Sequence, residues 1–285
     1  LTKKYSTFFH LHSFNTAKDK YIAELFGLNL MTTAAIQVTN LSKHFDTLKA
    51  VDSISFSVKQ GSTCALLGGN GAGKTTTLSM LLGLLLPSAG EITILSENML
   101  RHRYKVLPRM NFTSPYVDVP RRLTVAENLT IYARLYGLRK IKPRLRELSE
   151  QFDLAALMKR TYGSLSAGQK TRVSVAKSLI NEPEVLLLDE PTASLDPDTA
   201  DHVRKYLCDY QKRKNATMLL ASHNMVEVER MCDDVIMLRE GCIVDSGTPA
   251  SLIQRYGREN MEEVFLDIAR YQDRAKGLNM EHHSS

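Results

Sequence analysis

The sequence predicts an α/β fold, a sheet with flanking helices and an α-helical subdomain inserted into it. Two observations carry that expectation. Short uncharged apolar runs, Thr63–Leu67 (TCALL), Val185–Leu188 (VLLL) and Met218–Ala221 (MLLA), each stand before a loop of glycine, acidic or hydroxyl residues and then a helical stretch. Runs of this kind read as strands buried on both faces, hence as neighbours in a parallel sheet. Between the first and second run lies a long helical insert at about residues 115–165. There Thr124-Val-Ala-Glu127 has the form of a capping box, and Val125, Leu129 and Tyr132 continue an apolar stripe behind it.

The whole chain agrees with this layout. Its 285 residues are 43% hydrophobic and 24% charged, ordinary values for a globular chain with a sizeable core. Disorder, collagen-like repetition and a small disulfide scaffold are excluded. The formal net charge of +6 suits an anionic partner, whether nucleic acid, a phosphorylated ligand or an acidic membrane surface, and equally a solvated surface. Cys64, Cys208, Cys232 and Cys242 show no C-x-x-C pair and no zinc spacing, which fits a reducing cytoplasm. No stretch approaches the roughly 18–20 apolar residues of a membrane span. The richest, Leu78 to Leu86, contains Ser79 and Gly83 and stops at Pro87. Any membrane role is therefore expected to go through a partner.

Taken in chain order, residues 1–30 carry Phe8, Phe9, Phe14, His10 and His12 without recognisable chemistry. They read as an upstream extension or disordered arm; a short amphipathic helix using Tyr21, Ile22, Leu25 and Phe26 is the alternative. Residues 31–250 form the main unit, opening with strand-like Ile36–Val38, and 251–285 form a helical tail. In that tail Met261, Val264, Phe265 and Ile268 share a helical face, as core packing requires.

Residues 68–75 read Gly-Gly-Asn-Gly-Ala-Gly-Lys-Thr, a match to G-x-x-x-x-G-K-[ST]. Glycine lets backbone N–H groups turn toward phosphates with no side chain between. The next helix, beginning near Lys74, faces the anion with its N-terminus. A helix end supplies only about 0.3–2 kcal/mol, so a triphosphate also needs the cation of Lys74 and a metal ion on the Thr75 hydroxyl. Gly68, Gly69, Asn70, Gly71, Ala72, Gly73, Lys74, Thr75 and the adjoining Thr76 are the candidate nucleotide-binding residues.

The run Val185–Leu188 ends in Asp189-Glu190. Asp189 is the candidate second anchor of a magnesium ion, with Thr75, and Glu190 the candidate for polarising the attacking water. His223 follows the next strand in Ala-Ser-His-Asn, and ligand crevices lie outside the carboxyl ends of such strands. It is the candidate for holding the γ-phosphate and that water. Lys74, Glu190 and His223 make up the catalytic set.

Leu165-Ser166-Ala167-Gly168-Gln169 precedes an apolar-periodic helix with Val173, Ala176, Leu179 and Ile180, and is locally another capping box. With the phosphate loop, the acidic pair and His223 it resembles the signature motif of ABC-type ATPases, and the likeness covers about residues 34–245. The resemblance implies a P-loop NTPase core, its mixed sheet carrying an antiparallel β edge, with ATP and Mg2+ as cofactors. It implies that Ser166 and Gly168 face the γ-phosphate of ATP bound to an opposite subunit. Phe45 stands where the family stacks an aromatic on adenine, and Ser194-Leu195-Asp196 looks like the loop through which two subunits sense each other.

Two positions depart from the family pattern. Pro115 stands where a Gln is usual at the junction of core and helical subdomain, with Ser114 and Asn111 as candidate substitutes of shorter reach, and Gly69 replaces a Pro. The function so implied is an ATP-hydrolysing subunit of a membrane transporter. Its expected partners are a second cassette, a homodimer in the simplest case, and a multi-span permease docked on residues 115–165. That permease would hold it at the inner face of the cell membrane. Gly247-Thr-Pro and Asn260-Met-Glu-Glu-Val-Phe265-Leu resemble tails of single-cassette exporters. Alternatives are a non-transport ABC ATPase, disfavoured by the 92 residues from Lys74 to Ser166, and a weakly active regulatory cassette lacking the Gln. No nucleic-acid partner is expected, since Lys212-Arg213-Lys214 reads as a solvated helix end.

Overall fold

The computed structural model describes residues 33–115 and 117–268; residues 1–30, with their arm-or-helix alternatives, fall outside that range. The described chain builds two sheets. One is antiparallel in the order β2-β1-β4-β5, from β1 (Ala34–Phe45), β2 (Leu48–Lys59), β4 (Ala89–Ile94) and β5 (Glu97–Asn98). The other has the order β10-β9-β3-β8-β7-β6, from β3 (Thr63–Leu67), β6 (Met110–Thr113), β7 (Val185–Asp189), β8 (Thr217–Ala221), β9 (Asp234–Arg239) and β10 (Cys242–Gly247). Its strands pair in parallel except for the antiparallel edge β9–β10.

The three apolar runs behave as their composition demands. Every residue of β3, β7 and β8 is buried, and successive side chains enter different cores. Ala65, Leu67, Leu186 and Leu188 face the helical side, where they join Leu129, Leu148 and Val173. Cys64, Leu66, Val185 and Leu187 face the antiparallel sheet, where they meet Val38, Ile94 and Leu81. The Cys64 thiol is buried on that side, and desolvation pushes it up to about 12. All four cysteines are free, and no helix among the described residues is long and apolar enough to cross a membrane.

Among the described residues the helices include α1 (Lys74–Leu81), α2 (Met99–Val106), α3 (Val125–Leu135), α4 (Ile141–Gln151), α5 (Ala167–Ser178), α6 (Pro197–Lys214), α7 (Met225–Met231) and α8 (Pro249–Tyr256), and residues 261–268 are also helical. Both sequence-derived capping boxes are present, Thr124 with Glu127 on α3 and Ser166 with Gln169 on α5. The insert is less helical than its pattern suggests. Its α-helices occupy only Val125–Leu135 and Ile141–Gln151, and its two ends are clasped by the bridge Thr124↔Thr161 and by Val125 N–H donating to Arg160 O at 3.0 Å. The tail packs as expected: Met261 and Val264 are fully buried, with Phe265 and Ile268 against the same core.

Arg144 of α4 is buried and ties the insert to the core. Its guanidinium donates to the Leu179 and Ile180 carbonyls, the latter at 3.3 Å, at the C-terminal end of α5. A cation there also complements the helix dipole.

Parallel register sets the functional edge. Leu188 of β7 lies opposite Thr113 of β6 and Leu220 of β8, and Cys64 of β3 lies opposite Leu219. The carboxyl ends of β3, β6, β7 and β8 thus share one rim, which brings Gly68, Ser114, Asp189, Glu190 and His223 to one side of the sheet.

Candidate functional site

The glycine loop runs from the end of β3 into α1, which starts at Lys74. Gly73 is the N-cap, at φ 102, and a Cβ there would lie 2.7 Å from the Ala50 carbonyl oxygen. Only glycine meets both conditions. No side chain caps α1 and its first turn has no acidic residue, which leaves its N-terminal N–H groups open to an anion. Lys74 Nζ donates to the carbonyls of Gly68 at 2.5 Å and Gly69 at 3.1 Å. Burial lowers the Lys74 pKa, while the nearby charges of Glu190 and Asp189 oppose the shift.

The residues Gly69 to Thr76 line a recess of about 420 Å³ whose other wall includes Phe45, Leu48 and Lys49. Phe45 is 45% exposed, leaving its ring face accessible to a planar group, and Lys43 Nζ stands 5.0 Å from its centroid. Leu48, 64% exposed, has no signal in the sequence; a lone apolar residue in a strand carries none until the β1–β2 hairpin sets it beside Phe45.

Asp189 ends β7 nearly buried, and its Oδ2 accepts a 2.9 Å bond from Ser114 Oγ. Burial raises its pKa, opposed by the Ser114 hydroxyl and Lys74. Glu190 sits at φ 48, a left-handed conformation that costs a non-glycine residue roughly 1–3 kcal/mol and is typical of functional sites. Its amide donates to Ala221 O at 2.8 Å. Its Oε1 accepts from the His223 amide at 3.1 Å and lies 2.6 Å from His223 Nδ1. Burial raises the Glu190 pKa, with the His223 contact pulling the other way. The His223 side chain is 77% exposed, so its remaining ring edge is open to a ligand.

Glu227 is a contributor the sequence did not disclose. Buried on α7, it accepts from Ser222 Oγ at 2.7 Å and from Thr192 Oγ1, holding together the loops that carry His223 and follow Glu190. Its partners lie 5 and 35 residues away, so no local pattern announces it.

The substitutes for the missing Gln separate clearly. Ser114 reaches Asp189 directly, because β6 and β7 are neighbours and no long side chain is required. Asn111 is turned away into the β6–α5 interface, donating to Asn181 Oδ1 at 2.7 Å and Lys177 O at 3.3 Å. Pro115 lines a separate polar cavity with Glu190, Thr171 and Ser194.

The signature residues are not brought to the nucleotide recess of their own chain: neither Ser166 nor Gly168 lines it. Ser166 is exposed, and its Oγ accepts from the Gln169 amide at 3.3 Å, which leaves its hydroxyl proton to donate outward. A Cβ on Gly168 would stand 2.7 Å from the Ser194 carbonyl oxygen, so glycine is required where α5 meets the Ser194-Leu195-Asp196 loop.

A strand, a glycine loop and a lysine-bearing helix start, beside a strand ending in two carboxylates, define a P-loop ATPase. Comparison with known proteins narrows the class. A family model described as ABC transporter matches residues 51–193. The bacitracin transport ATP-binding protein BcrA of Bacillus licheniformis is 36% identical over 81% of this chain and 75% of its own. The Nod factor export ATP-binding protein I of Ralstonia nicotianae is 36% identical over 85% of this chain and 75% of its own. A solved ATP-binding subunit of an ABC transporter superposes with a TM-score of 0.77 at 27% identity, covering 83% of this chain and all of that one. The chain belongs to the ABC transporter family, as an ATP-binding, ATP-hydrolysing subunit.

Proposed function

We propose that this subunit powers export through a separate membrane protein, two copies closing around two ATP molecules. The observation that carries the reading is the Glu190–His223 contact on the rim that also holds Lys74 and Asp189. Phe45 stacks on adenine, the Gly68–Thr76 loop cradles the phosphates, and Lys74 exchanges its loop carbonyls for phosphate oxygens. Glu190 accepts a proton from the attacking water, and His223 orients that water and the γ-phosphate. Ser166 and Gly168 of the second copy complete the site, which accounts for their exclusion from the recess of their own chain.

The donors Thr75 and Asp189 fit Mg2+. No cluster of three or more His, Cys, Asp or Glu that would cage a metal occurs among the described residues, and this ion is usually held by one or two carboxylates together with substrate phosphates and water. When bound, Mg2+ neutralises charge developing on the transferred phosphoryl group.

Export is supported by the Nod factor export relative, and transport more generally by the bacitracin transport relative. For the membrane partner we propose an apolar groove of about 690 Å³ between core and insert. Leu84, Tyr104 and Leu135, 71%, 75% and 75% exposed, line it with Phe112 and Tyr136. A short helix of the partner's inner-face loops would cover these side chains, holding the subunit at the membrane. Docking then uses the core as well as residues 115–165.

The test is ATP turnover and light scattering on the purified chain. Glu190→Gln should abolish turnover and give an ATP-dependent dimer, and Lys74→Ala should bind no ATP. Retained turnover in Glu190→Gln, or retained affinity in Lys74→Ala, overturns the assignment.

A further inference from the structure

Strand β6 leads into two successive hydroxyl side chains that engage different neighbours. Thr113 is buried, its Oγ1 2.7 Å from Ser174 Oγ on α5. Ser114, one residue later, donates to Asp189 Oδ2 at 2.9 Å. Consecutive residues of a strand present opposite faces, and the register Thr113↔Leu188 sets Ser114 beside Asp189. Helix α5 is joined to the loop after Glu190 by Thr171 Oγ1, which donates to Ala193 O at 2.8 Å. The same helix begins at the Ser166 cap. One dipeptide therefore touches both the carboxylate at the end of β7 and the helix that presents Ser166.

A carboxylate that offers one oxygen outward is oriented by whatever holds the other. Loss of such a supporting hydrogen bond typically costs 10–100-fold in metal affinity. We propose that Ser114 is a positioning residue for the nucleotide-bound divalent cation, acting through Asp189, and that Thr113 passes the resulting position of β6 to α5 and so to Ser166. The proposal rests on the reading of Asp189 as a metal-side ligand given above.

The experiment uses the full chain carrying Glu190→Gln as the parent. Mn2+ binding is followed by electron paramagnetic resonance at saturating ATP. Metal-free affinity is measured with a fluorescent ATP analogue in EDTA, and ATP-driven dimerisation by light scattering, with far-UV circular dichroism as a check on folding. Adding Ser114→Ala should weaken Mn2+ by about tenfold or more, with metal-free nucleotide affinity unchanged and Ser114→Thr restoring most of the loss. Adding Thr113→Val should leave Mn2+ affinity in place and weaken dimerisation at least about fivefold, with Thr113→Ser restoring it. Unchanged Mn2+ affinity in Ser114→Ala, or an equal loss with and without metal, overturns the role of Ser114. Parent-like dimerisation in Thr113→Val overturns the link to α5. A parent that binds ATP yet takes up no Mn2+ removes the metal-side reading of Asp189 itself, an outcome distinct from these.

Discussion

Replacing Lys177 with Met should stabilise this protein. Lys177 lies on α5 and is 5% exposed, its ammonium 4.6 Å from the centroid of Phe112 on β6 and 5.4 Å from that of Tyr132 on α3. Burial pushes the ammonium from its ordinary 10.5 down to about 8. At about 1.4 kcal/mol per pH unit, that fall corresponds to a desolvation cost on the order of 3 kcal/mol. Two cation–π contacts, each worth roughly 0.5–2 kcal/mol, return part of it. Met fills the same channel between the rings without a charge, so Lys177→Met should gain about 1–2 kcal/mol at neutral pH, or roughly 2–4 °C in Tm for a chain of this size.

The pH dependence gives a second, independent reading. The folded pKa lies below the unfolded one, so between about 8 and 10.5 the unfolded chain binds the extra proton. Stability of the parent therefore rises with pH across that window through this group. Urea unfolding followed by far-UV circular dichroism, at about pH 7 and about pH 10, should show the advantage of Lys177→Met shrinking at the higher pH. A variant less stable than the parent by more than about 1 kcal/mol at neutral pH would mean that the ring contacts outweigh desolvation, and the reasoning would be refuted.

Burial raises the Glu190 carboxyl and His223 opposes it, and Glu190 must be ionised to accept a proton. His223→Ala should therefore lower kcat and also move the acid limb of its pH profile upward; a limb that stays put or moves to lower pH counts against the pairing. Gly168→Ala drives a Cβ onto the Ser194 carbonyl, which should cost about 1–3 kcal/mol and weaken ATP-driven dimerisation of a Glu190→Gln parent; wild-type values for both would show that the α5–loop contact yields freely. Arg144→Met leaves the Leu179 and Ile180 carbonyls without their donor and should destabilise by about 1–3 kcal/mol, read as a lower urea midpoint, whereas an unchanged midpoint would show that water replaces the guanidinium.

Much of the site was legible because its chemistry is local. The buried strands Thr63–Leu67 and Thr217–Ala221, the start of α1 at Lys74 and the two capping boxes are decided by residues within a few positions of one another. Strand β6 carries no such local signal. Its sequence is only Met110-Asn-Phe-Thr113, and two of the four residues are polar. Those polar groups are buried because Asn181 and Ser174 satisfy them from 70 and 61 residues away. Lys177 was equally hidden: an apolar stripe through Val173, Ala176 and Ile180 predicts which face of α5 packs, but not that an ammonium packs with it between two rings.

The sequence by itself determined the phosphate loop, the order of the chemical groups and the family, because each depends on short-range spacing and on backbone conformations that single residues impose. Tertiary structure decided what stands beside each group. It put Ser114 rather than Asn111 on Asp189, buried Glu227 between two site loops, and kept Ser166 out of its own chain's recess. The physical reason is strand register: hydrogen bonding between β6, β7 and β8 sets residues tens of positions apart at contact distance, and no local periodicity encodes that choice of neighbours.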